Sequence, residues 1–263
     1  MMKKLLILLL SALLITLSGC VGYKDINIEN DNVQNPSVNR PLPPFTEDDD
    51  EENKKIIYIK SKASGLRIRS GAGSSYSVIG SIEKNDLLLF DGVKENYYVT
   101  KYKEQIGYVH ADYCQLVEIS QSNSQVEKAI SFGASLLGYP YVWGSQRYHW
   151  GNGVINKNFV NGEFDCSAFV QYIYYKTNGV LLDVTSRSQS TNGVVVKDGD
   201  LKRGDLMFFT NASRKNKTGI EKVGHVGIYF GDNYILHTAS DYAVIEPISS
   251  LRWSYYLHAR RVV

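Results

Sequence analysis

Apolar and polar positions follow four different patterns along this chain, and each predicts a different structure. From Leu5 to Leu17 nearly every residue is Leu or Ile, a run shorter than the ~20 residues that a membrane-spanning helix needs. Residues 21–53 show no apolar periodicity. They are rich in Asn, Asp, Glu and Pro, contain "RPLPP" (40–44) and end in "EDDDEE" (47–52), which predicts a disordered tether. From Lys55 to Glu118 come short alternating runs broken by turn residues: "IIYIK", "GLRIRS", "SVIGSI", "DLLLFDG", "YYVTKY" and "IGYVHADYCQLV". Strands this short and this closely spaced predict a small barrel. The period then changes. Val126, Ile130, Gly133/Ala134 and Leu137 recur at helical spacing in "SQVEKAISFGASLLG", with Ser124 as the N-cap, Glu127 completing a capping box, and Gly138 as the stop. A second helix is predicted in "EFDCSAFVQYIYYK" (163–176), and the strands "DLMFF", "GHVGIYFG", "YILHTAS" and "HARRVV" follow. A helix-rich half before a strand-rich half predicts an α+β fold.

At 263 residues the chain has room for one large or two modest domains. The patterns divide it into 1–19, 20–53, 54–119 and 124–263. Lys3 and Lys4 ahead of the apolar run give the layout of an export signal. The run ends in "LSGC", Leu17 to Cys20, which resembles a bacterial lipoprotein lipobox; the alternative is a simple secretory signal with a chance cysteine. The resemblance implies that Cys20 becomes the lipid-bearing first residue, anchored to the membrane on its outer face through at least two acyl chains. A 33-residue coil spans about 30 Å, enough to lift a domain off a membrane while keeping it near. Residues 54–263 carry 25 basic against 18 acidic residues, a net of +7, which suits an anionic wall or membrane surface. No basic-aromatic nucleic-acid motif is present. The 19 tyrosines suit a sugar- or peptide-contacting face and a tyrosine-rich core about equally.

Export leaves Cys114 and Cys166 free to pair in an oxidising compartment. Cys114 reads instead as a small buried hydrophobe, which frees Cys166 for chemistry. Asp165 is placed to cap the helix that Cys166 begins, and Phe169, Val170 and Ile173 follow at three, four and seven residues. A sulfur at a helix N-terminus sees the positive end of the backbone dipoles, which favours the thiolate, while the Asp165 charge opposes it. A cationic partner is therefore needed, and histidine is the obvious one. His225 and His237 lie on two predicted strands joined at "GDN" (231–233). Pairing about Gly231 sets them directly opposite, with Cβ atoms about 5 Å apart. A turn centred between 231 and 232 would instead set Thr238 opposite His225. The odd-centred register gives a Cys, a His, and a second His that holds the first ring in one tautomer.

Two family resemblances bear on these readings. "LRIRSGAGSSYSVIG" with "GYVHADY" resembles the bacterial SH3-like domain of wall-binding proteins, with Tyr where that family usually has a Trp near "YYVTKY". "YPYVWG", "FDCSAFV", "LKRGDLMFF", "GHVGIYFG" and "YILHTAS" stand in the order found in the NlpC-type cell-wall cysteine peptidases, a papain-like group. That resemblance spans about 125–262. It implies Cys166 as nucleophile, His225 as general base and acid, and His237 as the orienting residue. It also implies Tyr141 as an oxyanion donor, with Asp165 and Ser167 holding substrate and Asp165 able to take a free N-terminal amine. The expected activity is hydrolysis of the bond between D-γ-glutamate and a diamino acid in peptidoglycan stem peptides, by a monomer using no metal or other cofactor.

The chain departs from the family at residues 146–164, which are longer than in most relatives and predict a surface loop or small hairpin at the cleft rim. His149 within it reads as a surface residue, and His110 and His258 have no assigned role. "SRSQSTNG" (186–193) is helix-compatible with no assigned chemistry, and the "RGD" of "KRGD" is a chance match in a turn. The same triad would serve an amidase cutting between muramic acid and L-alanine, or an acyltransferase. A wall-binding adaptor is the non-catalytic alternative.

Overall fold

The computed structural model describes residues 54–238 and 241–263; the apolar run, Cys20 and the tether lie outside the described residues. No helix among the described residues is long and apolar enough to cross a membrane.

The N-terminal part is built only from short strands and one 3-10 turn: β1 (Lys55–Ser61), β2 (Leu66–Arg69), β3 (Val78–Ile82), β4 (Leu87–Leu89), β5 (Gly92–Lys94), β6 (Tyr97–Tyr102), β7 (Gln105–His110) and β8 (Cys114–Ser120). They form two antiparallel sheets, ordered β4-β1-β8 and β3-β2-β7-β6-β5. The alternation seen in the sequence is the pleat itself: in β2, Leu66 and Ile68 are buried while Arg67 and Arg69 share the outer face.

After these strands come α1 (Ser124–Ser135), α2 (Cys166–Asn178), the single turn α3 (Ser186–Gln189), β9 (Val194–Val196), β10 (Leu206–Phe209), β11 (His225–Gly231), β12 (Tyr234–Thr238), β13 (Ala243–Pro247), α4 (Ser250–Ser254) and β14 (Tyr256–Arg261). The six strands make one antiparallel sheet in the order β13-β12-β11-β10-β14-β9. Every residue of α2 from Cys166 to Tyr174 is buried, so this helix is the centre of the layer rather than an amphipathic cover. Its far end is closed by Gly179 in the left-handed conformation.

The α1 cap differs by one residue from its expected place. Asn123 is the N-cap, accepting the Val126 N–H, and Glu127 reaches back to the Ser122 N–H. The amide carbonyl of Asn123 does the same work as the expected Ser124 hydroxyl, one position earlier.

The two parts share one continuous core that runs from Tyr58, Leu66 and Leu87 to Ile130, Phe169 and Leu236. Two contacts fix the join. Tyr102 of β6 presses on Gly138, whose φ of +86° turns the chain after α1; a Cβ there would lie 2.0 Å from the Tyr102 ring. Arg203 is buried beneath β1: it forks onto both carboxylate oxygens of Glu127 at 2.7 and 3.0 Å, donates to the Tyr58 hydroxyl at 2.9 Å, and lies 4.2 Å from the Phe230 ring centre. Its "RGD" is therefore not displayed on the surface.

Candidate active site

Cys166 is the first residue of α2, and 8% of its surface is exposed. Asp165 caps that helix as the sequence predicts: its backbone is extended and its Oδ1 accepts the Ala168 N–H at 2.9 Å. The backbone N–H groups of Val226, the residue that follows His225 on β11, and of Ser167 favour the Cys166 thiolate. Burial pushes the thiol up to about 11, and the Asp165 charge adds to this against the pull of those N–H groups and of Arg147. The favouring of thiolate expected from a helix start is outweighed by desolvation.

His225 begins β11 opposite Phe209, and its Nε2 lies 2.9 Å from Nδ1 of His237. The pairing that produces this is not the one expected. Ile228 opposes Leu236 and Tyr229 opposes Ile235, so the hairpin centres on Asp232, and His237 lies beside Gly227. The turn residues are Asp232 and Asn233, both at positive φ, the pattern of a two-residue hairpin loop. Gly231 pairs with Tyr234, and an irregularity between Tyr229 and Gly231 leaves Phe230 as an extra residue. That bulge returns both imidazoles to one face; the register set by the turn alone would put them on opposite faces. They meet diagonally, and Gly227 makes room: a Cβ there would lie 2.9 Å from the His237 Cβ.

The chain of contacts goes one residue beyond the sequence-based triad. His237 is fully buried and its Nε2 lies 3.0 Å from Oε1 of Glu246, which also accepts from Arg252 at 3.0 Å. Burial alone would raise Glu246, but His237 and Arg252 hold it below the usual carboxylate range. An ionised Glu246 only accepts, so His237 carries its proton on Nε2 and presents a bare Nδ1. His225 then donates from Nε2 and keeps a lone pair on Nδ1. Burial, with the charges of His237 and Arg252, holds His225 well below its ordinary value of 6.5, so that lone pair is present at neutral pH. The arrangement can accept a thiol proton and return it.

Residues 138–262 match the NlpC/P60 family. This part of the chain is an NlpC/P60 domain. Similar proteins include peptidoglycan DL-endopeptidase CwlO of Bacillus licheniformis, 33% identical over 137 residues (51% of this chain, 27% of that protein). A gamma-D-glutamyl-L-lysine dipeptidyl-peptidase of Bacillus subtilis is 32% identical over 134 residues (51% of this chain, 38% of that protein). The chain spans less than half the length of these curated relatives. A crystal structure of an NlpC/P60 family protein from Bacillus cereus aligns with a TM-score of 0.42 at 23% identity, covering 81% of this chain and 65% of that one.

In the NlpC/P60 domain, Tyr141 is half-buried beside the thiol. Burial pushes its hydroxyl up to about 12, with the Cys166 and Asp165 charges adding, so it remains a proton donor at neutral pH. Ser167 does not face an open site: its hydroxyl donates to Asp165 Oδ1 at 3.0 Å and accepts from Arg147 at 3.1 Å, and the residue is buried. Segment 146–164 is not a loose surface loop. Tyr148, Phe159 and Phe164 pack around Tyr172 of α2 with ring centres 5.0–5.5 Å away, and the bridge His149–Ile155 makes the small hairpin. His149, expected at the surface, is fully buried; its Nδ1 accepts the Gly151 N–H and its ring packs on Tyr175. His258 stacks on Phe208, and Cys114 is buried and unpaired. Burial pushes the Cys114 thiol up to about 12.

Arg147, Glu246 and Arg252 are the site residues that sequence reasoning missed. Glu246 carried one usable signal. It lies on the same face as Val244, the residue opposite His237, so "AVIEP" recognised as the next strand would have placed its carboxylate diagonally from that ring.

Proposed function

We propose that this chain is a cell-wall hydrolase, a cysteine peptidase that cuts peptidoglycan stem peptides at the bond between D-γ-glutamate and a diamino acid. The observation that carries the reading is the hydrogen-bonded line His225–His237–Glu246, which ends at the strand residue next to Val226, whose N–H favours the Cys166 thiolate. A buried structural thiol needs no such line.

In the proposed reaction His225 Nδ1 takes the thiol proton as sulfur attacks the γ-glutamyl carbonyl. The tetrahedral oxyanion is met by the Tyr141 hydroxyl and the backbone N–H at the start of α2. Collapse expels the amine, which His225 protonates, leaving a thioester. Water, deprotonated by His225, then releases the glutamyl acid and restores the thiol. The ring alternates between neutral and charged, and Glu246 beyond His237 stabilises the charged form.

The N-terminal strands support an SH3-like, wall-contacting role. They contain a 440 Å³ hollow lined by Arg67, Arg69, Tyr97, His110 and Tyr113, in which guanidinium groups would meet anionic groups and tyrosine rings would meet sugar faces. Export and lipid attachment at Cys20 complete the proposal, with the enzyme held on the outer side of the membrane.

Defined muropeptides digested with the protein and read by mass spectrometry test the activity. New fragments ending in D-glutamate with a free γ-carboxyl are expected from the native chain and not from Cys166→Ala. Lysis of purified wall by Cys166→Ala would overturn the reading in favour of an adaptor or a contaminating activity, and release of intact stems would indicate an amidase. Membrane fractionation of Cys20→Ala tests the anchor: the variant should leave the membrane pellet.

A further inference from the structure

We propose that Arg147 sets the substrate class of this site by neutralising Asp165, so that the enzyme cleaves stems whose amino end is blocked as readily as those whose amino end is free. This inference rests on the peptidase reading above and sharpens it. An ammonium group brought next to the thiol loses its hydration, and it binds there only if an ionised, unpaired carboxylate replaces that hydration. Asp165 is the carboxylate whose charge reaches both the Cys166 sulfur and the Tyr141 hydroxyl.

Both of its oxygens are engaged. Oδ2 accepts from Arg147 Nη2 at 2.8 Å, and Oδ1 accepts the Ala168 N–H at 2.9 Å and the Ser167 hydroxyl at 3.0 Å. The guanidinium is itself immobilised: Nη1 donates to the Ser145 carbonyl at 2.6 Å, Nε donates to the Val184 carbonyl, and Nη2 also reaches Ser167 Oγ at 3.1 Å. The Arg147 and Asp165 side chains are only 14% and 9% exposed, so solvent does little to weaken the pair. A substrate amine would have to displace a guanidinium tied to the backbone of two separate segments. A stem with an acylated amino end brings no charge to the site and forfeits nothing there. Arg147 comes from segment 146–164, which aromatic packing on α2 holds in place.

The test uses the full chain and two synthetic peptides, L-Ala-γ-D-Glu-diamino acid with a free or an acetylated amino end. For the native protein, kcat/KM on the two is expected to agree within about threefold, and Arg147→Met, which frees the Asp165 charge, is expected to raise the preference for the free amine by about tenfold. Arg147→Lys, which keeps a positive charge, should stay near the native ratio. A larger native preference for the free amine, or an unchanged ratio in a folded Arg147→Met, would overturn the inference. If thermal melting shows that Arg147→Met does not fold, the native ratio alone decides. Cleavage of neither peptide would overturn the peptidase reading and this inference with it, whereas cleavage restricted to the free amine overturns this inference alone.

Discussion

Burial holds Cys166 and His225 in their uncharged forms, the thiol pushed up to about 11 and the imidazole well below 6.5. The unliganded site is therefore a thiol beside a neutral ring, and the proton moves only as the substrate is attacked. Alkylation of Cys166 by iodoacetamide, measured in a Cys114→Ser background, should accelerate roughly tenfold per pH unit from 6 through 9. A plateau below pH 7 would reveal a standing thiolate–imidazolium pair instead. The same directions set the acid limit of stability. His225 and His237 fold with pKa values below 6.5, so the unfolded chain binds more protons, and the stability their neutrality contributes is present above 6.5 and lost as the pH falls below it. The melting temperature should drop between pH 7 and pH 5, and His225→Gln should flatten that drop. Glu246→Gln removes the charge that steadies an imidazolium two residues away; losing one charge-assisted hydrogen bond should lower kcat by about ten- to a hundredfold with KM little changed. A structural role alone would leave kcat intact.

At the scale of elements, the β11–β12 hairpin aligns the site through an irregularity. The Phe230 bulge sets which face the histidines share, and Gly227 sets how closely the strands let them approach. Gly227→Ala should displace His237 and Ile235, lower kcat/KM by at least about tenfold, and destabilise by about 1–3 kcal/mol, as small-to-large changes in packed cores do. Parallel measurements of kcat/KM and melting temperature check this; an active, equally stable Gly227→Ala would rule out the close approach. Both links of the relay run diagonally, His225 to His237 and His237 to Glu246, so a rigid three-strand ladder with no loop residues positions the whole line. The 146–164 segment gains its order in another way, from rings packed on Tyr172.

At the scale of the whole molecule, the N-terminal strands meet the NlpC/P60 domain through apolar surface and through Arg203, a guanidinium held by an ion pair to Glu127 of α1 that also donates to Tyr58 of β1. Arg203 joins Tyr58 of β1, Glu127 of α1 and the backbone of β11. Arg203→Met leaves Glu127 charged without its partner and should cost about 3–5 kcal/mol, while Arg203→Met with Glu127→Gln should recover much of that loss. Denaturant melts of the two variants test it; equal losses would show that the guanidinium's stacking on Phe230 matters more than the charge pair.

Much of this was legible in residue order alone. The succession of strands and helices, the Asp165 cap, the Cys166 position at a helix start, and the shared face of His225 and His237 all follow from spacing, because local backbone geometry repeats with fixed periods. The histidines' shared face was reached through a register that the fold does not use, since a one-residue bulge leaves no clear mark in the pattern. The partners hidden from sequence were those joined only by chain closure: Arg147 with Asp165, Glu246 with His237, Arg203 with Glu127. The charge states too were decided there. A thiol at a helix start is drawn toward ionisation by its own helix, but its solvation depends on everything packed above it, and only the folded molecule sets that.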